Sequence, residues 1–564
     1  MTRNIIICSD GTGNTAIKGR GTNVFRIFES VDLHGWRSDP ALPQQIVFYD
    51  DGVGTQGFKP LRLLGGAFGW GLSRNVKQLY TALARVYDPG DRIYLFGFSR
   101  GAFTARTLAG LIAECGVVCR HKCDTKEKLD AAVNRAYELH RELYPKSLTS
   151  VLSGRRRKAS APQSASEAGN VTPAHRTQAM ADFHATYAVE QKDALAVGNG
   201  MAVEFIGVWD TVDAVGLPFK EASEFWNRYI YCFKFPDYKL DARVRRAAHA
   251  LAIDDERLTF HPLLWNEKDE KTARIQQVWF AGVHSNVGGG YPKQGMSLAA
   301  LDWMMAQAED AGLRFLKSDR DYYREHANVN DHLYNSRAGA GMYYRYKPRD
   351  IEKLCQQEGV KPKLHVSAVE RLAHATEGYS PGNVPFAAEV VLNDPNARPA
   401  GKLSHWLKPE GERSAHLLER VKPQIHVRGF AHAALVAVTA LAIVLGWPEG
   451  TGLDTFSTKL FGLLKPSGMW DFAKKLVMQW YGAPLVAGLA VLVVSRLMQR
   501  KMNAVFSRWW HSRRDELQAG LAMSCRQPLI SGLPTDVLQQ RDGVAAGAPD
   551  RTSAESRLDK TKDF

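Results

Sequence analysis

Residues 93–106 read IYLFGFSRGAFTAR, and few folds accommodate such a stretch. An apolar run, Ile93 to Phe96, stops at Gly-Phe-Ser-Arg-Gly. The small residues Gly101, Ala102 and Ala105 follow, where a helix would have to pack closely. G-x-S-x-G between a strand and a helix is the signature of a nucleophile elbow, a strained turn in which a Cβ at either glycine would clash. The neighbouring pattern agrees. Strands are predicted at residues 4–8, 46–49 and 93–96, and NVKQLYTALARVY (75–87) has helical periodicity up to a Pro-Gly stop at 89–90. Strands alternating with helices predict an α/β fold with a mostly parallel sheet flanked by helices. Strand patterns resume at 203–209 and 275–283, and 295–315 and 350–358 look helical.

A serine held in this way needs a base and an acid. VWFAGVHSNVGGGYP (278–292) puts His284 just past a strand and before three glycines. Strand ends are where parallel sheets gather ligands and catalytic groups. VEFIGVWDTVDAVG (203–216) ends another strand at Asp210, with Asp213 in reserve. The order Ser99, Asp210, His284 is the Ser…Asp…His order of α/β-hydrolases. His284 would take the Ser99 proton as Oγ attacks an ester carbonyl, and Asp210 would hold the imidazole tautomer. The oxyanion donors would be the backbone N–H of Arg100 and one from the loop after the first strand, SDGTGN (9–14), at Gly11 or Thr12. The same loop fits G-x-G-x-x-A, but KGRGTN intervenes where a dinucleotide-binding helix should start. CSDGT has Cys8 where an aspartyl-phosphate enzyme needs its nucleophile. No cofactor is expected. Cys115, Cys119 and Cys123 recur every four residues near His121, a spacing that fits buried packing better than a metal site.

The 564 residues carry a net charge of +14, which points to an anionic partner. The basic residues gather in 154–158 and 496–514 rather than along one stripe, and nucleic acid is not the expected partner. Seven cysteines without framework spacing argue against a disulfide scaffold. No cleavable export signal is read at the N-terminus. Residues 146–180, polar, small and basic, read as a mobile insertion.

Past residue 425 the composition changes. FAHAALVAVTALAIVLGW (430–447) and LVMQWYGAPLVAGLAVLVV (476–494) carry no charge, and each approaches the roughly 20 residues that cross a bilayer. A transmembrane or membrane-inserted hairpin is expected over 429–495. A basic amphipathic helix on anionic lipid follows over 496–525, with Met498, Met502, Val505, Phe506 and Trp509 on its apolar face. The flanking charges predict both ends, and the catalytic domain, on the cytoplasmic side. Residues 391–428 read as a linker and 526–564 as a disordered tail.

CSDGTGN, GFSRGAFTAR, GVWDTVDAVG, HALAIDDERLTFHP (249–262), WFAGVHSNVGGGY, HVSAVERL (365–372) and GYSPGNVP (378–385) occur in that order. Over about residues 1–390 the chain resembles the α/β-hydrolase family of type VI secretion lipase effectors, long listed as a domain of unknown function. The resemblance implies an α/β-hydrolase fold. In effector members it implies phospholipase A activity on glycerophospholipids, with a lipid ester as substrate and the phospholipid membrane as partner. It carries over Ser99, Asp210 and His284 as the triad, and allows a secretion-system spike or an immunity protein as a further partner. Relatives read His-Ser-Asp where this chain has Asn286, and Asp254 and Asp255 are further acidic candidates. Two other readings stay open: an anchored esterase of small acyl esters, and a membrane-anchored binding protein with a decayed site.

Overall fold

Among the described residues, eight strands form one wholly parallel sheet in the order β2-β1-β3-β4-β5-β6-β7-β8. The computed structural model describes residues 2–11, 21–51, 68–142, 173–189, 203–213, 235, 237–407, 417–445 and 482–525. Residues 1–518 form one unit and 519–564 another. The strands are β1 (Asn4–Ser9), β2 (Gln45–Asp50), β3 (Arg92–Phe98), β4 (Val203–Trp209), β5 (Val244–Ala252), β6 (Ile275–Phe280), β7 (Lys363–His365) and β8 (Glu389–Val391). The helices around the sheet include α1 (Asn23–Ser30), α2 (Phe68–Val86), α3 (Arg100–Cys115), α4 (Lys126–Arg141), α5 (Pro173–Tyr187), α6 (His284–Gly288) and α7 (Gly295–Asp310), and α8 (Lys422–Leu445) and α9 (Gly482–His511) follow it in the chain.

Both faces of the sheet are covered, which is why its strands are apolar runs rather than alternations. Ile5 and Ile7 of β1, with Ile93 and Leu95 of β3, face a core shared with α2, α3 and α4. Their neighbours Ile6, Cys8, Tyr94 and Phe96 face a second core with α1 and α7. Strand order reverses between β1 and β3. The C-terminal ends of those two strands therefore form the crevice where open parallel sheets hold ligands. Of the segment expected to be a mobile insertion, residues 146–172 lie outside the described residues. From Pro173 the chain is helical, and Phe183 of α5 is buried in the first core. Cys115 is buried at the end of α3, with its thiol directed to the Ala136 carbonyl at 3.5 Å.

The C-terminal region requires a correction. Among the described residues no helix is long and apolar enough to cross a membrane. Residues 446–481, which complete the two apolar runs, lie outside the described residues, as does the tail after 525. The helices α8 and α9 pack against each other, and α9 is seated on the body of the chain. Trp510 Nε1 donates to the Pro381 carbonyl at 2.7 Å, the Trp509 ring lies 4.8 Å from that of Phe386, and Phe506 closes over Gly382. Met502, Phe506 and Trp509, expected to face lipid, are buried in this contact. Helical periodicity correctly marks a buried face, but the face meets protein. The expected topology, with both ends cytoplasmic, loses its support with the spanning hairpin.

Candidate active site

Five candidate residues sit at the C-terminal ends of adjacent strands because the parallel register brings those ends level. Phe98 pairs with Trp209, Trp209 with Ala250, and Ala252 with Phe280. Ser99 therefore follows β3, Asp210 follows β4, Asp254 and Asp255 follow β5, and His284 follows β6.

Ser99 has φ +59°, a left-handed conformation that costs a non-glycine residue roughly 1–3 kcal/mol. Its N–H donates to the Trp209 carbonyl at 3.1 Å, and it caps α3. The elbow glycines are explained by backbone contacts. A Cβ on Gly97 would lie 2.6 Å from the Ala102 Cα. One on Gly101 would lie 2.7 Å from the Asp10 carbonyl carbon, and closer still to the Ser9 and Asp10 carbonyl oxygens. None of these atoms belongs to a side chain that can swing away. Gly101→Ala is expected to separate α3 from β1, to lower the melting temperature by several degrees and to misplace Ser99. Thermal denaturation beside active-site labelling checks this, and a variant as stable as wild type would contradict the packing described.

Ser99 Oγ lies 2.8 Å from His284 Nε2, and His284 Nδ1 lies 2.6 Å from Asp210 Oδ2. Burial pushes the His284 imidazole below its usual range by more than the Asp210 carboxylate raises it. A neutral ring with Nδ1–H on the carboxylate leaves Nε2 free to accept from the serine hydroxyl. The ring is held between Phe98, at 4.6 Å between centroids, and Phe260, edge-on at 5.1 Å. Asp210 is fully buried, and burial alone would raise its pKa. The Arg349 guanidinium and His284 more than offset this, and the carboxyl sits well below the usual range.

Arg349 is the residue that sequence reading missed. Fully buried, it donates from Nη1 to Asp210 Oδ1 at 2.7 Å and from Nη2 to Oδ2 at 2.8 Å, a two-pronged clamp on the carboxylate. It also donates to the carbonyls of Ala252 and Phe260. The Ala252 N–H adds a bond to Asp210 Oδ1 at 3.1 Å. In the next position, the Thr211 N–H donates to His249 Nε2 at 3.1 Å, which fixes the loop leaving β4.

The other acidic candidates have separate partners. Asp255 Oδ2 accepts from the His284 backbone N–H at 3.3 Å, and Arg257 binds both of its oxygens. Asp254 Oδ2 accepts from Gly282 N–H at 2.6 Å and from Tyr379 Oη at 2.9 Å. Asn286 Oδ1 accepts from Tyr334 N–H at 3.3 Å, while its Nδ2 donates to the His332 carbonyl at 3.1 Å. A carboxylate could not make the latter bond, so the amide suits a residue tying α6 to the 332–334 loop. Of the oxyanion candidates, Arg100 opens α3 directly after Ser99. The Gly11 N–H donates to Asp10 Oδ1 at 2.6 Å, and Asp10 Oδ2 in turn accepts from Thr22 and Tyr49. Thr12 lies outside the described residues. Among the described residues no group of three His, Cys, Asp or Glu side chains could hold a metal ion.

Burial raises the Asp254 carboxyl to about 7 from 3.8. Between those values the folded state keeps a proton that the unfolded chain releases, so the group costs stability as pH rises through the window. Asp254→Asn keeps an acceptor for Gly282 and Tyr379 and removes that cost. The variant should melt higher than wild type at about pH 8 and much less so at about pH 4. An equal shift at both pH values would contradict the assignment.

Residues 3–307 match the family model described as T6SS, Phospholipase effector Tle1-like, catalytic domain. The chain belongs to this family. The Tle1-like match takes in Ser99, Asp210 and His284, and stops before Arg349 and helices α8 and α9. The chain is also 25% identical over 274 residues to Uncharacterized protein YEL023C of Saccharomyces cerevisiae, covering 46% of this chain. It spans about a third of that relative, 32% of its length. A crystal structure of an uncharacterized protein from Pseudomonas aeruginosa aligns at 18% identity and a TM-score of 0.31, covering 68% of this chain and 56% of the other.

Proposed function

We propose that the protein is a serine hydrolase that deacylates glycerophospholipids, with Ser99 as nucleophile, His284 as general base and then acid, and Asp210 as the carboxylate that orients it. The observation that carries this is the continuous chain Ser99 Oγ, His284 Nε2, His284 Nδ1, Asp210 Oδ2, with 2.8 and 2.6 Å steps, inside a phospholipase effector family. Oγ attacks the ester carbonyl as His284 takes its proton. The tetrahedral oxyanion is met by the Arg100 N–H, and by Gly11 once its N–H leaves Asp10. The lysophospholipid alkoxide departs with the His284 proton, and water then releases the fatty acid from Ser99.

Work at a lipid surface is supported by an exposed apolar row on α9, Val486, Leu489, Val493 and Leu497, beside the exposed Arg496 and Arg500. Delivery into a target cell, with a secretion-system spike or an immunity protein as partner, is the role that effector membership supports.

The test is incubation with vesicles of phosphatidylethanolamine and phosphatidylglycerol, followed by mass spectrometry of lipids. Equimolar lysophospholipid and free fatty acid are expected. Diacylglycerol or phosphatidic acid as product, or no product beside rapid turnover of short soluble esters, would overturn the reading. A fluorophosphonate adduct mapped by peptide mass should fall on Ser99.

A further inference from the structure

The enzyme body and helices α8 and α9 line a half-open cavity of about 920 Å³ whose walls include neither Ser99 nor His284. It is within the size range of small-molecule sites. Its cationic lining is Arg337 and Arg349 from the body, Arg428 from α8, and Arg496 and Arg500 from α9, with Arg349 already engaged by Asp210. Arg428 is 4% exposed, with its guanidinium carbon 3.5 Å from the centroid of the Tyr346 ring. The same ring carries Arg337 at 5.2 Å. Arg428 Nε and Nη1 and Arg337 Nε are buried with no hydrogen-bond partner among the described residues.

Buried guanidinium N–H groups without acceptors are costly, and two like charges sharing one aromatic ring add repulsion. Counter-charge on this wall is sparse. Glu256 reaches Arg428 at only 3.7 Å. The other acidic groups lining the cavity have partners: Asp255 with Arg257, Glu377 with Arg371 and His332, and Asp254 with Gly282 and Tyr379. What the wall lacks is an acceptor with several oxygens and negative charge. Guanidinium forks match phosphate in this respect.

We propose that this cavity is a phosphate-binding site distinct from Ser99 and His284, though it shares the Arg349 and Asp255 wall behind them, with Arg428 Nε and Nη1 and Arg337 Nε as its buried donors and Arg496 and Arg500 at its exposed side. The phosphodiester of a lipid headgroup and free phosphate share this chemistry.

The test is calorimetric titration of the full chain with two probes: inorganic phosphate, and glycerophosphoglycerol, a headgroup phosphodiester without acyl chains. Binding of at least one probe is expected, and Arg428→Gln should weaken it about tenfold or more. Preference for glycerophosphoglycerol identifies a lipid headgroup as the source, and preference for inorganic phosphate identifies free phosphate. Binding of neither probe, or an Arg428→Gln affinity within about twofold of wild type, overturns the proposal. Should Arg428→Gln fail to fold, Glu256→Gln decides. Removing the resident carboxylate should tighten binding several-fold, and unchanged or weaker binding overturns the proposal. The readout is binding alone, so its failure leaves the hydrolase reading of Ser99 untouched, and the converse holds.

Discussion

Ser99→Ala is expected to lower kcat for ester hydrolysis by about a million-fold while leaving the fold and the lipid KM close to wild type. The size follows from the proposed covalent mechanism, in which without Oγ no acyl-enzyme would form and His284 would have no hydroxyl to deprotonate. The fold should survive because alanine keeps the Cβ already accommodated at φ +59° and removes only the oxygen 2.8 Å from His284 Nε2. Ser99→Gly should be equally inactive but more stable, since glycine carries no penalty at positive φ. Fatty-acid release, beside denaturation of all three proteins, checks both points. Residual activity above about one per cent in Ser99→Ala would remove the nucleophile assignment, given the size of the loss expected.

The elbow was legible because local chemistry dictates it. An apolar strand, two glycines and small helix residues leave few geometries, and the contacts of Gly97 and Gly101 with neighbouring backbone give the reason. Asp210 and His284 were legible at strand ends because each closes a buried run. Strand β5 was not. Its sequence, VRRAAHALA, has the alanine and arginine content of a helix, yet it lies between β4 and β6. Tertiary burial overrides propensity there. Arg349 was invisible for another reason. It stands in the polar stretch RYKPRD, 139 residues beyond Asp210, and only the folded chain brings them together. The hairpin shows a third limit. Periodicity in 498–509 reveals that a face is covered, whereas the covering partner, the body around Pro381 and Phe386, is a tertiary fact.

Arg349→Met should be the most destabilising single change near the site, costing about 3–5 kcal/mol, because it strands the fully buried Asp210 carboxylate. Two guanidinium bonds vanish, leaving His284 Nδ1–H and the Ala252 N–H as the remaining donors to the carboxylate. Loss of the nearby cation also makes Asp210 more basic, which raises the His284 pKa. The acid limb of the kcat/KM profile, expected below pH 6.5 in wild type from the depressed His284, should therefore move upward. A residue that merely filled space would leave that limb in place. Asp210→Asn strands the opposite charge and should lower kcat about 10,000-fold by favouring the wrong imidazole tautomer. Combining the two removes both buried charges, so the double variant should regain much of the lost stability and none of the lost activity. Chemical denaturation and pH–rate profiles of the four proteins separate these effects. If Arg349→Met unfolds at wild-type denaturant and keeps its acid limb, the clamp does not position the acid. The double variant then adds a second check: stability that fails to recover would mean Arg349 acts through Ala252 and Phe260 instead of through Asp210.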